Sequence, residues 1–102
     1  YPELAGKFAA VLSATGGGSG DMSIVATKNS FQWCHGFTLP YHASAKSADF
    51  GKKGLENDRV RERIVRIAHD VVRYAQVLRA AFESARSLGK SVPAAGFAGH
   101  HA

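Results

Sequence analysis

Apolar positions along the chain cluster into a few segments separated by glycine, proline and polar residues. The first segment, Lys7 to Ala14, reads KFAAVLSA and is polar at little more than its ends. Such a continuous run predicts a strand buried on both faces, as in a parallel sheet. A glycine-rich turn follows, ATGGGSGD from Ala14 to Asp21, and Asp21 is placed to cap a helix with its carboxylate. Ile24, Val25, Lys28, Phe31, Gln32 and Cys34 to His35 then give an imperfect helical repeat, with Gly36 in position for the C′ glycine that ends it. Phe37 to Pro40, FTLP, predicts a second short buried strand stopped by proline. Tyr41 to Asn57 is rich in small and polar residues and reads as a long loop. The final helix is the clearest element. Asn57 or Asp58 can cap it, Val60, Ile64, Ile67, Ala68, Val71, Ala75, Leu78, Phe82 and Ala85 form its apolar stripe, and Gly89 marks its end. Residues 91–102, small and glycine-rich, read as a flexible tail, and His100 and His101 as part of that tail or a tag rather than a metal site.

The predicted order is strand, helix, strand, helix, with the strands parallel and joined by a right-handed crossover. This is an α/β pattern with too few strands, because a two-stranded open sheet is not stable alone. The chain therefore either borrows strands from another chain or is the back half of a larger domain.

Size and charge narrow the classes. A chain of 102 residues makes one domain at most, with a modest core. With 45% apolar and 21% charged residues it has ordinary globular composition. No apolar run is long enough for a membrane span. The start, YPELAGKF, lacks the pattern of a signal peptide, and its lack of methionine suggests a processed, split or truncated chain. A single cysteine, Cys34, excludes an internal disulfide and makes a reducing, cytoplasmic setting the default. Beside Trp33 on a helical segment, its thiol reads as buried and inert. The net charge of +5 is uneven: residues 52–90 hold ten Lys or Arg against five Asp or Glu, and residues 1–51 hold three of each. Interspersed acids, as in Glu62 with Arg66 and Arg79 with Glu83, favour a solvated helix face over a nucleic-acid interface.

The candidate chemistry lies in the glycine turn. Glycines let backbone N–H groups approach a flat ring or a phosphate, and open parallel sheets bind ligands at the carboxyl ends of their strands. The turn is neither a Walker loop, since no Gly-Lys-Ser/Thr closes it, nor the dinucleotide fingerprint, whose glycine spacing differs. A plain connecting loop is the competing reading.

In order along the chain, LAGKFAAVLSATGGGSGDM, FQWCHGFTLPYHASA and the long terminal helix resemble the C-terminal half of the flavodoxin-like NAD(P)H-dependent FMN reductases and NAD(P)H:quinone oxidoreductases. The matching features are Leu4, Gly6 and Lys7 before the strand, the Thr-Gly-Gly turn, and Trp33, Cys34, Gly36 and Phe37 at the helix end, with His35 as an added residue. The resemblance implies that residues 1–90 are the C-terminal half of a flavodoxin-like domain, whose parallel sheet is completed by missing or partner strands. It implies FMN, or FAD, as cofactor and NAD(P)H as co-substrate, with hydride passing to a quinone or similar small acceptor. Thr15, Gly16, Gly17, Gly18 and Ser19 would line the flavin ring, their backbone N–H groups hydrogen-bonding its N5 and carbonyl edge. Tyr41 and His42 would be candidate contacts to substrate or a neighbouring subunit, against the plainer readings of a packed loop aromatic and a solvated histidine. The family's phosphate loop and second flavin loop have no counterpart here, and Asp21, Met22 and Ser23 stand near where some members carry a tyrosine and a histidine. The expected partner is a second copy or a chain supplying the N-terminal half. The alternative is a non-enzymatic interaction module that pairs through its arginine-rich helix and has Phe31, Trp33, Phe37 and Tyr41 as core.

Overall fold

The computed structural model describes residues 3–89 and 93–101. The apolar run at 7–14 forms two short strands rather than one, β1 (Phe8–Ala9) and β2 (Leu12–Thr15). Helix α1 (Asp21–Trp33), β3 (Phe37–Thr38) and β4 (Ala43–Lys46) follow. A 3₁₀ turn (Ser47–Asp49) leads into an antiparallel hairpin of β5 (Phe50–Gly51) and β6 (Gly54–Leu55). Helix α2 (Asp58–Leu88), a second 3₁₀ turn (Pro93–Ala95) and the short α3 (Gly96–His101) complete the order. The class is mixed α/β with parallel pairing, and the described strands form two-stranded units only.

Phe8 lies opposite Phe37 and Leu12 opposite Ala43, so the partner is 29 residues ahead at β1 and 31 ahead at β2. The two pairs are thus one parallel ribbon with two extra residues bulged out of its second limb. Pro40 sits in the bulge. It has no N–H to donate, so the ladder breaks there, after Leu39 N–H has reached the Ala9 carbonyl at 2.8 Å. Proline interrupts the second strand instead of ending it. The supposed loop at 41–57 accordingly holds the continuation of that strand, a 3₁₀ turn and a hairpin.

Alternation assigns the faces. Ala43 and Ala45 are buried on the α2 side, where Leu39, Ala43 and Ile67 form the core with Phe8, Ala10, Tyr41 and Ile64 against it. Ser13 and Ser44 point the other way, towards Gly20 at the start of α1. The expectation that the first strand is buried on both faces fails at β2, where Leu12 is 50% exposed. Its side chain shares a face with Ala43, but α2 packs over β1 and β4 and leaves β2 uncovered.

Both helix ends follow local chemistry. Asn57 Oδ1 accepts from Arg59 N–H at 3.0 Å and Val60 N–H at 3.4 Å, capping α2, and Gly89 ends it at φ 80°. The predicted stripe of α2 is buried or half-buried except Ala68. At the C-terminus of α1, His35 rather than Gly36 takes the left-handed conformation, at φ 66°. His35 N–H reaches the Gln32 carbonyl at 2.9 Å and Gly36 N–H the Phe31 carbonyl at 3.0 Å, the double closure of a Schellman motif. Gly36 is required for a different reason, since a Cβ there would run into the Phe31 ring. At the N-terminus, Gly20 is the cap and Asp21 the first helical residue, so the carboxylate sits in the first turn without capping it.

Two further expectations are corrected. Within the segment read as a flexible tail, residues 93–101 form helical turns, and Phe97 stacks edge-on against Phe37 and Phe82 at centroid distances of 5.3 and 6.0 Å. Trp33 is not core: it is 84% exposed, because only Ile24 of α1 is buried, and Cys34 beside it is half-buried. The radius of gyration is 16.9 Å, against about 13 Å for a compact chain of this length. The excess comes from α2, whose 31 residues extend for about 46 Å beside a much shorter ribbon. No helix among the described residues is long and apolar enough to cross a membrane.

Candidate functional site

The glycine turn leaves β2 at the carboxyl end of the ribbon and enters α1, as its sequence position requires. Its glycines divide into two kinds. Gly20 is buried, and a Cβ on it would lie 2.8 Å from the Ser13 Cβ and 3.1 Å from the Ser44 hydroxyl. It is a packing glycine. Gly16, Gly17 and Gly18 are exposed, none takes a left-handed φ, and a Cβ on any of them would meet nothing within 4 Å. Nothing inside the described chain requires these three to be glycine.

Hydroxyl groups fix the turn. Ser47 Oγ donates to the Gly16 carbonyl and Thr15 Oγ1 donates to the Gly18 carbonyl. In a trans peptide the N–H points opposite to its own carbonyl. The Gly17 and Ser19 N–H groups are therefore turned away from those hydroxyls, and neither meets an acceptor among the described residues. The next two donors are used internally. Gly20 N–H reaches Ser44 Oγ at 3.0 Å and Asp21 N–H reaches Ser19 Oγ at 3.1 Å. Ser13 Oγ donates to Ser44 Oγ at 2.9 Å and so orients it. The turn thus holds two outward N–H donors on a hydrogen-bonded frame.

A cavity of about 310 Å³ adjoins it, lined by Ser19, Ser44, Lys46, Asp49 and Val60. Ser44, Lys46, Ser47 and Asp49 carry no motif, and only the strand register at residues 12–15 and 43–46 brings them to the turn. Asp49 is the buried charge of this wall. It accepts from Lys46 N–H at 2.9 Å and Asn57 Nδ2 at 2.8 Å, clamping the end of β4 to the cap of α2. The Lys46 N–H bond first, then Asn57, hold its carboxyl below the usual aspartate range. A lowered folded value means the stabilisation is complete above the ordinary aspartate pKa of about 4 and is lost as pH falls from there through the folded value. The urea midpoint of the protein is therefore expected to fall through that acid window. The D49N variant, tested over the same pH series, is expected to lose the part of the slope due to Asp49.

Tyr41 and His42 occupy the bulge, and neither lines this cavity. The Tyr41 hydroxyl donates to Asp70 Oδ2 on α2, a bond that raises the phenol above its ordinary pKa, and the Arg63 guanidinium lies 5.6 Å from the ring centroid. Tyr41 thus faces α2, at the edge of an apolar groove of about 470 Å³ lined also by Phe8, Phe37, Leu39, Tyr74 and Val77. His42 comes closer to the turn. Its Nε2 is 3.7 Å from Asp21 Oδ1, and Lys28 Nζ lies 3.3 Å from its Nδ1. Arg63 Nε donates to its carbonyl. No group of three or more His, Cys, Asp or Glu among the described residues is arranged to hold a metal ion.

In comparisons with known proteins, no family model, no curated protein and no solved structure matches the chain.

Proposed function

We propose that this chain is the ring-side part of a flavin oxidoreductase, in which the turn from Thr15 to Ser19 carries the edge of a bound FMN, or FAD. The observation that carries the reading is the pair of outward N–H groups, on Gly17 and Ser19, in a turn whose three glycines leave the approach open. Donors of that kind suit the acceptor edge of a flavin ring and favour the negative charge that reduction places on it. When bound, the flavin would supply hydride transfer from NAD(P)H to a quinone or similar small acceptor. The chain's own contribution is to position and to bind. Ser47 and Thr15 hold the peptide planes, Ser13 and Ser44 hold the entry to α1, and the exposed glycines let the ring approach the backbone.

The adjoining cavity of about 310 Å³ is at the small end of ligand clefts, and its single lysine, Lys46, has Asp49 beside it. The phosphate side of the cofactor would therefore come from elsewhere: a second copy or a chain supplying the first half of the domain. The uncovered face of β2 at Leu12, and Met22 and Val25 exposed on α1, are surfaces that such a partner would cover. The experiment is to incubate the purified protein with FMN, pass it through gel filtration and record the visible spectrum of the protein peak. Retained flavin absorbance is the expected result, and a colourless protein peak would overturn the reading.

The interaction-module reading keeps one supporting observation. Val65 and Val72, two turns apart on α2, are exposed outside the stripe that packs on the ribbon. That reading predicts a colourless protein that still self-associates.

A further inference from the structure

At the opposite end of the ribbon from the glycine turn lies a cavity of about 540 Å³. Its apolar wall includes Phe8, Leu78 and Phe82. Its cations are Lys7, Arg79 and Arg86, with His101 at the rim, and no acid lines it. Arg79 uses its Nε on Glu83 at 3.2 Å, which leaves the rest of the guanidinium fork for another acceptor. Lys7 and Arg86 make no ion pair among the described residues. Arg86 lies in the last turn of α2, where the helix dipole favours a cation, but the dipole does not account for Lys7 on the strand lead-in or Arg79 two turns earlier.

Local structure builds this concavity. Gly6 takes φ 75°, and a Cβ there would lie 2.7 Å from the Phe82 ring, so only glycine lets the lead-in approach α2 this closely. Gly6 N–H is bonded to the His35 carbonyl at 2.9 Å. His35 Nδ1 meets His101 Nε2 at 3.0 Å and holds α3 at the cavity rim.

Cations from two separate elements, the strand lead-in and α2, lining a recess with an aromatic wall and no acid, fit an anion attached to a flat apolar body. We propose that this cavity binds a small aromatic phosphate, with the phosphate among Lys7, Arg79 and Arg86 and the ring against Phe8 and Phe82. This site stands independently of the flavin reading, since it shares no residue with the glycine turn.

The test is calorimetric titration of the full chain with adenosine monophosphate, with adenosine and inorganic phosphate as separate controls. Saturable binding that is tighter than either control, and weakened at least about tenfold in the K7Q/R86Q double variant, is the expected result. Both positions are exposed, so the variant should keep the thermal midpoint of the parent. Binding by the parent should also fall steeply with added salt. The proposal is overturned by no binding at millimolar nucleotide, by equal affinity in the double variant, or by phosphate alone binding as tightly as the nucleotide.

Discussion

Replacing Ile67 with alanine is expected to remove about 2–5 kcal/mol of stability, the usual cost of truncating a large buried aliphatic residue. Ile67 is 2% exposed and is the residue through which α2 joins Leu39 and Ala43 on the ribbon. The rest of this core is thin. Besides Ile67, only Ile24 and Leu39 are large buried apolar side chains among the described residues, and the other buried apolar residues are alanines. A cavity at Ile67 cannot be closed by small neighbours that have little to move. A domain of this size has only about 5–10 kcal/mol in all, so the loss is a large fraction of the total. The Ile67→Ala protein should lose its cooperative thermal transition, or show it far below that of the parent, when followed by circular dichroism. Val72→Ala, on the same helix but 60% exposed, should change stability by no more than about 0.5 kcal/mol. Equal transitions for the Ile67 variant and the parent would mean that α2 is not held to the ribbon by this contact.

The second large effect separates binding from folding within one turn. Gly17→Val adds a side chain into open space at a position without left-handed φ, so stability should change by no more than about 0.5 kcal/mol. The same side chain would stand where the ring must approach the backbone, and retained FMN should fall at least about tenfold. Gly20→Ala should do the reverse damage. Its methyl group would be forced against Ser13 and Ser44, and overpacking at such a site costs about 1–3 kcal/mol. The K7Q/R86Q variant should leave flavin retention at the turn unchanged, since neither residue lies near it. Equal flavin retention by the parent and Gly17→Val would place any bound flavin elsewhere.

The parts of this molecule differ in how openly the sequence announces them. Helix α2 was legible almost residue by residue, because a stripe of eight buried or half-buried positions at spacings of three and four, an asparagine cap and a terminal glycine all agree. The parallel pairing was legible from the strand–helix–strand order. The extent of the strands was not. FTLP looks like a strand ended by proline, and only the shift in register shows that the chain bulges around Pro40 and resumes pairing at Ala43. ASAK carries too little hydrophobicity to signal a strand, since Ala43 and Ala45 are buried by α2 and not by their own bulk.

The site shows the same division. The glycine cluster marked the turn, but not which glycines serve packing. Gly20 packs on Ser13 and Ser44, whereas Gly16 to Gly18 face open space, a distinction set by tertiary packing alone. The hydroxyls that set the peptide planes come from Thr15, three residues from its acceptor, and from Ser47, thirty-one residues from its own. The cationic cavity was hidden for a similar reason. Its charges are dispersed at Lys7, Arg79 and Arg86, and each looks like ordinary surface until the lead-in folds against the end of α2.

The most direct measurement is an amide proton–nitrogen correlation spectrum of the labelled protein during titration with FMN. The resonances of Gly16, Gly17, Gly18 and Ser19 are expected to shift or broaden in a saturable way, with Gly17 and Ser19 moving most because their N–H groups are turned away from the hydroxyls that fix the turn. Unmoved resonances at all four, whether or not others respond, would contradict the assignment of this turn as a flavin site.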